Sequence, residues 1–106
     1  MVEVKINAGI CGFVTTIRAD SEDLQMAELE IVTDCPNLKR LEKELKEVDA
    51  FIECFAKVGD GEIYNMCRKY GKHAACPVPC AIIKAVEVSC QLALPKNISM
   101  EITNGK

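Results

Sequence analysis

The sequence has one histidine, no run of basic residues, no apolar stretch long enough to span a bilayer and no glycine-rich phosphate loop. Each shortage removes a class of function. With a single histidine and no serine or cysteine on a nucleophile elbow, no hydrolase constellation can be assembled. Lys and Arg number 13 against 16 Asp and Glu, and the cations are dispersed, so there is no electrostatic footprint for nucleic acid or for an anionic membrane. The opening residues, Met1-Val-Glu-Val-Lys-Ile6, lack the basic and apolar regions of a secretory signal, and a cytoplasmic location is expected. Repeats, low-complexity tracts and linkers are missing too. With 49% hydrophobic and 27% charged residues, the chain reads as one folded domain over residues 1–106 and not as a disordered segment.

What the chain has in excess is cysteine, seven in 106 residues. In a reducing compartment clustered cysteines more often bind metal or do chemistry than form disulfides, and an odd number would leave one thiol outside any complete disulfide framework. Where they fall relative to the secondary structure therefore decides their reading.

Residues 2–7 alternate Val2, Val4 and Ile6 with Glu3 and Lys5, the period of a half-buried strand. Gly9 and Gly12 bracket Cys11 in a turn. Residues 13–19 are rich in β-branched types and should return antiparallel, and residues 26–32 alternate again, so the first third reads as a β-meander. After Thr33-Asp-Cys-Pro-Asn37 the period changes. Leu38, Leu41, Leu45 and Val48 predict one face of a helix that starts at Pro36, with Glu42 able to pair with Lys46. Asp49 can cap a short helix carrying Phe51, Ile52 and Phe55. Asp60 can cap another with the stripe Ile63, Met66, Cys67 and Tyr70, for which Gly71 is a plausible stop. A long, mostly buried helix follows from Pro77 or Pro79, its strongly polar residues confined to Lys84, Glu87 and Gln91. Past Pro95, the alternation of Ile98, Met100 and Ile102 predicts a last strand joining the sheet. The expected fold is α+β in two layers, an antiparallel meander plus a C-terminal strand packed against about four helices.

Cys54, Cys67 and Cys90 fall among apolar residues on helices and read as core. Cys11, Cys35, Cys76 and Cys80 sit in turns or at helix mouths, where packing does not account for them. At a helix N-terminus the free N–H groups and the dipole favour a thiolate. Strands one and three of a meander run in the same direction, so Cys11 and Cys35 should lie at one end of the sheet. If the mouth of the last helix came to that end, the site would collect four sulfurs and the imidazole of His73. His73-x2-Cys76-x3-Cys80 is a local motif of moderate strength, weaker than paired Cys-x2-Cys knuckles.

The combination Ala8-Gly-Ile-Cys-Gly-Phe13, Asp34-Cys-Pro-Asn37 and His73-Ala-Ala-Cys-Pro-Val-Pro-Cys80 resembles, over nearly the whole chain, a family of small uncharacterised cysteine-rich proteins from anaerobic bacteria and archaea. That family carries no assigned activity. In layout, Cys11-Gly12 before a strand, Cys35 between a strand and a helix, and His73 with Cys76 opening the last helix are also similar to the iron-sulfur cluster assembly scaffolds. In those scaffolds an acidic residue stands two positions after the first cysteine, where this chain has Phe13, and the histidine directly precedes its cysteine.

The leading expectation is a thiolate-ligated metal or iron-sulfur site, a cluster carrier or scaffold-like protein, held by Cys11, Cys35, Cys76 and Cys80, with His73 as alternative ligand or support. Four thiolates suit an iron-sulfur cluster or tetrahedral zinc, and the anaerobic setting that the resemblance implies favours the cluster. The runner-up is a thiol redox or sulfur-transfer protein using Cys76 and Cys80, four apart at a helix start. Third stands a structural or interaction module with free cysteines. The sequence leaves open whether the protein is an enzyme, what protein partner it has and whether it is a homo-oligomer.

Overall fold

Strand β1 (Val2–Asn7) half-buries Val2, Val4 and Ile6 and exposes the residues between them in the computed structural model, which describes residues 1–105. Gly9 and Gly12, at φ +95° and +73°, turn the chain through conformations that a side chain disfavours, and the Gly12 N–H donates to the Gly9 carbonyl at 2.8 Å. Strand β2 (Val14–Asp20) returns antiparallel with Ile17 opposite Val4, and β3 (Met26–Thr33) follows with Ile31 opposite Ile17. The meander expected from the alternation is therefore present. Its inner face buries Ile17, Ala19, Ala27, Leu29 and Ile31. Two threonines, Thr15 and Thr33, are also buried there, and their hydroxyls satisfy each other at 2.7 Å.

The helix expected from Pro36 to Val48 forms only one turn, α1 (Leu41–Glu44). The rest becomes a fourth strand, β4 (Glu47–Asp49), paired antiparallel with β3 through Ala27 and Val48. All four apolar residues of the predicted stripe are buried, so the spacing was met by a different backbone. The physical reason is the open edge of β3, whose Leu29 N–H finds the Lys46 carbonyl at 2.7 Å. Glu42 does not pair with Lys46. Its carboxylate accepts the Thr33 N–H at 2.9 Å and lies 3.3 Å from the Lys39 ammonium.

Helices α2 (Ala50–Phe55), α3 (Glu62–Tyr70) and α4 (Val78–Ser89) complete the fold. Asp49 caps α2 as expected, accepting the Phe51 N–H at 2.9 Å. The buried residues of α2 are Ala50 and Glu53, however, and Phe51, Ile52 and Phe55 are exposed. The α3 start is capped from outside its own chain segment. Gly61, not Asp60, is the N-cap residue, and the buried Glu53 carboxylate accepts the N–H groups of Glu62 and Ile63 at 3.0 and 2.8 Å. Helix α4 lies across β1 and β2 and buries Val78, Pro79, Ala81, Ile82, Ala85 and Val86, and α2 and α3 also pack on it.

The sheet order is β1-β2-β3-β4, so the fourth strand is β4 and not residues 98–102. Ile98, Met100 and Ile102 are 60%, 84% and 85% exposed and pair with no strand. The alternation there is a strand pattern without a ladder. Otherwise the two-layer α+β architecture stands as expected, around one contiguous cluster from Ile17 to Cys90.

Candidate thiol site

The site is built where α3 ends and α4 begins. The Gly71 N–H donates to the Cys67 carbonyl at 2.7 Å, and a Cβ at Gly71 would lie 2.6 Å from that same oxygen. Glycine is needed there for close approach, not for a left-handed backbone. The chain then turns through Lys72 and His73, and the Cys76 N–H donates back to the His73 carbonyl at 3.2 Å. Pro77 occupies the N-cap of α4 with Pro79 inside its first turn, as the two prolines require. Cys76 thus stands one residue before the cap and Cys80 stands within the first turn. No side chain caps this helix end.

Although only four residues apart, the two sulfurs face different grooves. Cys76 lines a cleft of about 550 Å³ with Cys67, Tyr64, Arg68, Lys72 and His73. Burial, with the neighbouring Cys76 as the lesser cause, pushes the Cys67 thiol up to about 12. Cys80 lines a smaller groove of about 240 Å³ with Cys54, Tyr64, Lys84 and Glu87. There burial first, then the charges of Glu87, Cys90 and Glu53, pushes the Cys54 thiol up to about 11. Each cysteine at the mouth of α4 is therefore accompanied by a thiol from another helix that stays protonated at neutral pH.

Cys11 and Cys35 line neither groove. Asn7 pairs with Val14, and the Asp34 N–H donates to the Val14 carbonyl at 3.0 Å, so their two segments leave the sheet at the same end, as the topology demanded. Cys11 is exposed at the tip of its turn. Cys35 is half-buried against the core, its N–H donating to the Thr33 hydroxyl at 3.1 Å. It does not open a helix, because α1 begins six residues later, at Leu41. His73 is exposed. Among the described residues no three His, Cys, Asp or Glu side chains converge so as to hold a metal ion, and all seven cysteines are free.

Cys67 and Cys54 read as core in the sequence. Cys67 and Cys54 do pack against it, Cys67 buried and Cys54 half-buried, and each also forms part of a groove wall. The one local signal for Cys67 was Gly71, four residues later, which folds the following chain over the last turn of α3.

A model of a protein family of unknown function matches residues 2–102. No curated protein and no solved structure matches the chain.

Proposed function

The chain belongs to that family, DUF6951, which carries no assigned activity, and from its own residues we propose that it is a thiol protein whose working group is Cys76. The observation that carries this reading is the shared cleft of Cys76 and Cys67 beside Arg68 and Lys72. The two cations attract an anionic sulfur compound. Cys76 attacks one sulfur of a disulfide or persulfide substrate, forming a mixed disulfide as the substrate's other sulfur leaves as thiolate. The Cys67 thiol then loses its proton and displaces the remaining substrate sulfur, leaving a Cys67–Cys76 disulfide and a substrate reduced by two electrons. The high value of the Cys67 thiol makes the second step the slow one.

The test is mild oxidation of the protein by diamide under native conditions, followed by non-reducing peptide mapping. A Cys67–Cys76 link as the main product supports the reading, and its loss in Cys76→Ser should leave that variant unable to reduce an anionic disulfide. A map dominated by other links, or by none, refutes it.

The metal or iron-sulfur reading keeps one specific support, the exposure of Cys11 in its turn. On that reading Cys11, Cys35, Cys76 and Cys80, with His73, would draw a cluster or zinc between chains or after rearrangement. Iron with acid-labile sulfide, or zinc, in stoichiometric amount in anaerobically purified protein and its loss in Cys11→Ala would carry it. Metal-free protein would end it.

A further inference from the structure

Strand β1 is paired on one side only, with β2, and six residues of open edge are a template for another strand. Along that edge runs a groove of about 620 Å³ between β1, one face of α4 and the segment Ala93–Ile98. The same chain carries a segment with strand alternation and no pairing, Ile98 to Ile102. The two fit in one register. With the strands parallel, Val2, Val4 and Ile6 stand opposite Ile98, Met100 and Ile102, which continues the apolar face. Lys5 then stands opposite Glu101, and Glu3 opposite Ser99.

Charge selects this register over the antiparallel one. On the outer face Glu3, Arg18 and Glu30 form a ladder, with Arg18 3.6 Å from each carboxylate. Lys5, the next outward residue, has no carboxylate partner among the described residues. The parallel register supplies it with Glu101, whereas the antiparallel register that matches the apolar residues would set Glu101 against Glu3. The segment's own chain is poorly placed to use it. Ala93–Ile98 forms the far wall of the groove, and the residues beyond are almost fully exposed. The molecule is 49 Å long against 28 and 25 Å across, and its longest strand, the eight residues of β3, accounts for only about 26 Å of that length.

We propose that Ile98–Ile102 of one copy of this chain adds as a parallel strand to the open edge of β1 in a second copy, and reciprocally, closing a two-fold dimer. This assembly is independent of the thiol reading. Each copy both donates and accepts, so no open edge remains on β1 to recruit a third.

The test is sedimentation velocity of the full chain across a range of concentrations. A dimer is expected for the unaltered protein. Met100→Asp puts a charge into the apolar layer and should give a monomer with an unchanged circular dichroism spectrum, since Met100 contributes nothing to the monomer's own core. Lys5→Glu should weaken the dimer about tenfold because the pair occurs twice, and adding Glu101→Lys should restore it. A monomer at every concentration overturns the proposal, including one in which the amides of residues 98–102 are protected from exchange, which would mean closure on its own β1. A dimer unaffected by Met100→Asp overturns it equally.

Discussion

Glu53 is the buried carboxylate on which the start of α3 depends, and its removal should be among the costliest single changes in the chain. It is 5% exposed, and its two oxygens accept the N–H groups of Glu62 and Ile63. Glu53→Ala leaves both donors without an acceptor. The Ile63 N–H is buried and suffers the full desolvation cost, whereas that of Glu62 can turn to water. Taking about 2 kcal/mol for the first and about 1 kcal/mol for the second gives a loss of about 3 kcal/mol. Glu53→Gln keeps one accepting oxygen but points an amide NH₂ at the other donor, and should cost about 2 kcal/mol. For a domain of this size the Ala variant should melt about 15 °C lower. Urea denaturation followed by circular dichroism measures both. Gly61 provides an internal control, because at φ +96° it sits in a region that side chains avoid, and a Cβ there would lie 3.0 Å from Glu53 Oε1. Gly61→Ala should therefore cost about 2 kcal/mol alone and about 1 kcal/mol less in the Glu53→Ala background, where the contact is gone. A loss under about 1 kcal/mol for Glu53→Ala, or strict additivity of the pair, would refute this account of the α3 start.

Three further outcomes follow from the same structure. Thr15→Val or Thr33→Val alone should cost about 1–2 kcal/mol by leaving a buried hydroxyl without its partner, and the double variant should cost less than their sum by urea denaturation; Thr33 should stay the costlier, since its hydroxyl also accepts the Cys35 N–H. Gly71→Ala forces a Cβ within 2.6 Å of the Cys67 carbonyl and should lower stability by about 1–3 kcal/mol, with Cys67 becoming more accessible to alkylation. Cys67 and Cys54 hold their thiols above the ordinary value of 9.0, at about 12 and about 11; the folded state therefore binds more protons than the unfolded one above pH 9, so stability is fully present below pH 9 and falls as pH rises from 9 towards 11 and 12. Chemical denaturation at pH 8 and pH 10 should show that fall, reduced in Cys67→Ala and less affected by Cys54→Ala, whose half-exposed thiol is better hydrated; an unchanged slope in Cys67→Ala would sink the assignment.

The parts of this fold that could be read from the sequence are those fixed by local period. Alternation in residues 2–7, 14–20 and 26–33 sets side chains on two faces whatever lies beyond, and the meander followed, carrying Cys11 and Cys35 to one end of the sheet. The stripe of Leu38, Leu41, Leu45 and Val48 was not enough, because burial of those four is satisfied by one helical turn plus a short strand as well as by three turns. What chose between them was the open edge of β3, a demand made by residues some 20 positions earlier. The same limit applies to the thiols. Cys76 and Cys80 are neighbours in sequence, yet Cys76 lines one groove with Cys67 of α3 and Cys80 lines another with Cys54 of α2. A cysteine on an apolar stripe gives no sign in its spacing that its helix will present it at a groove. The tail is the reverse case. Ile98, Met100 and Ile102 carry a clear strand signal yet pair with no strand of the sheet, and the proposed exchange between copies rests on that apolar alternation, left 60–85% exposed beside the open edge of β1.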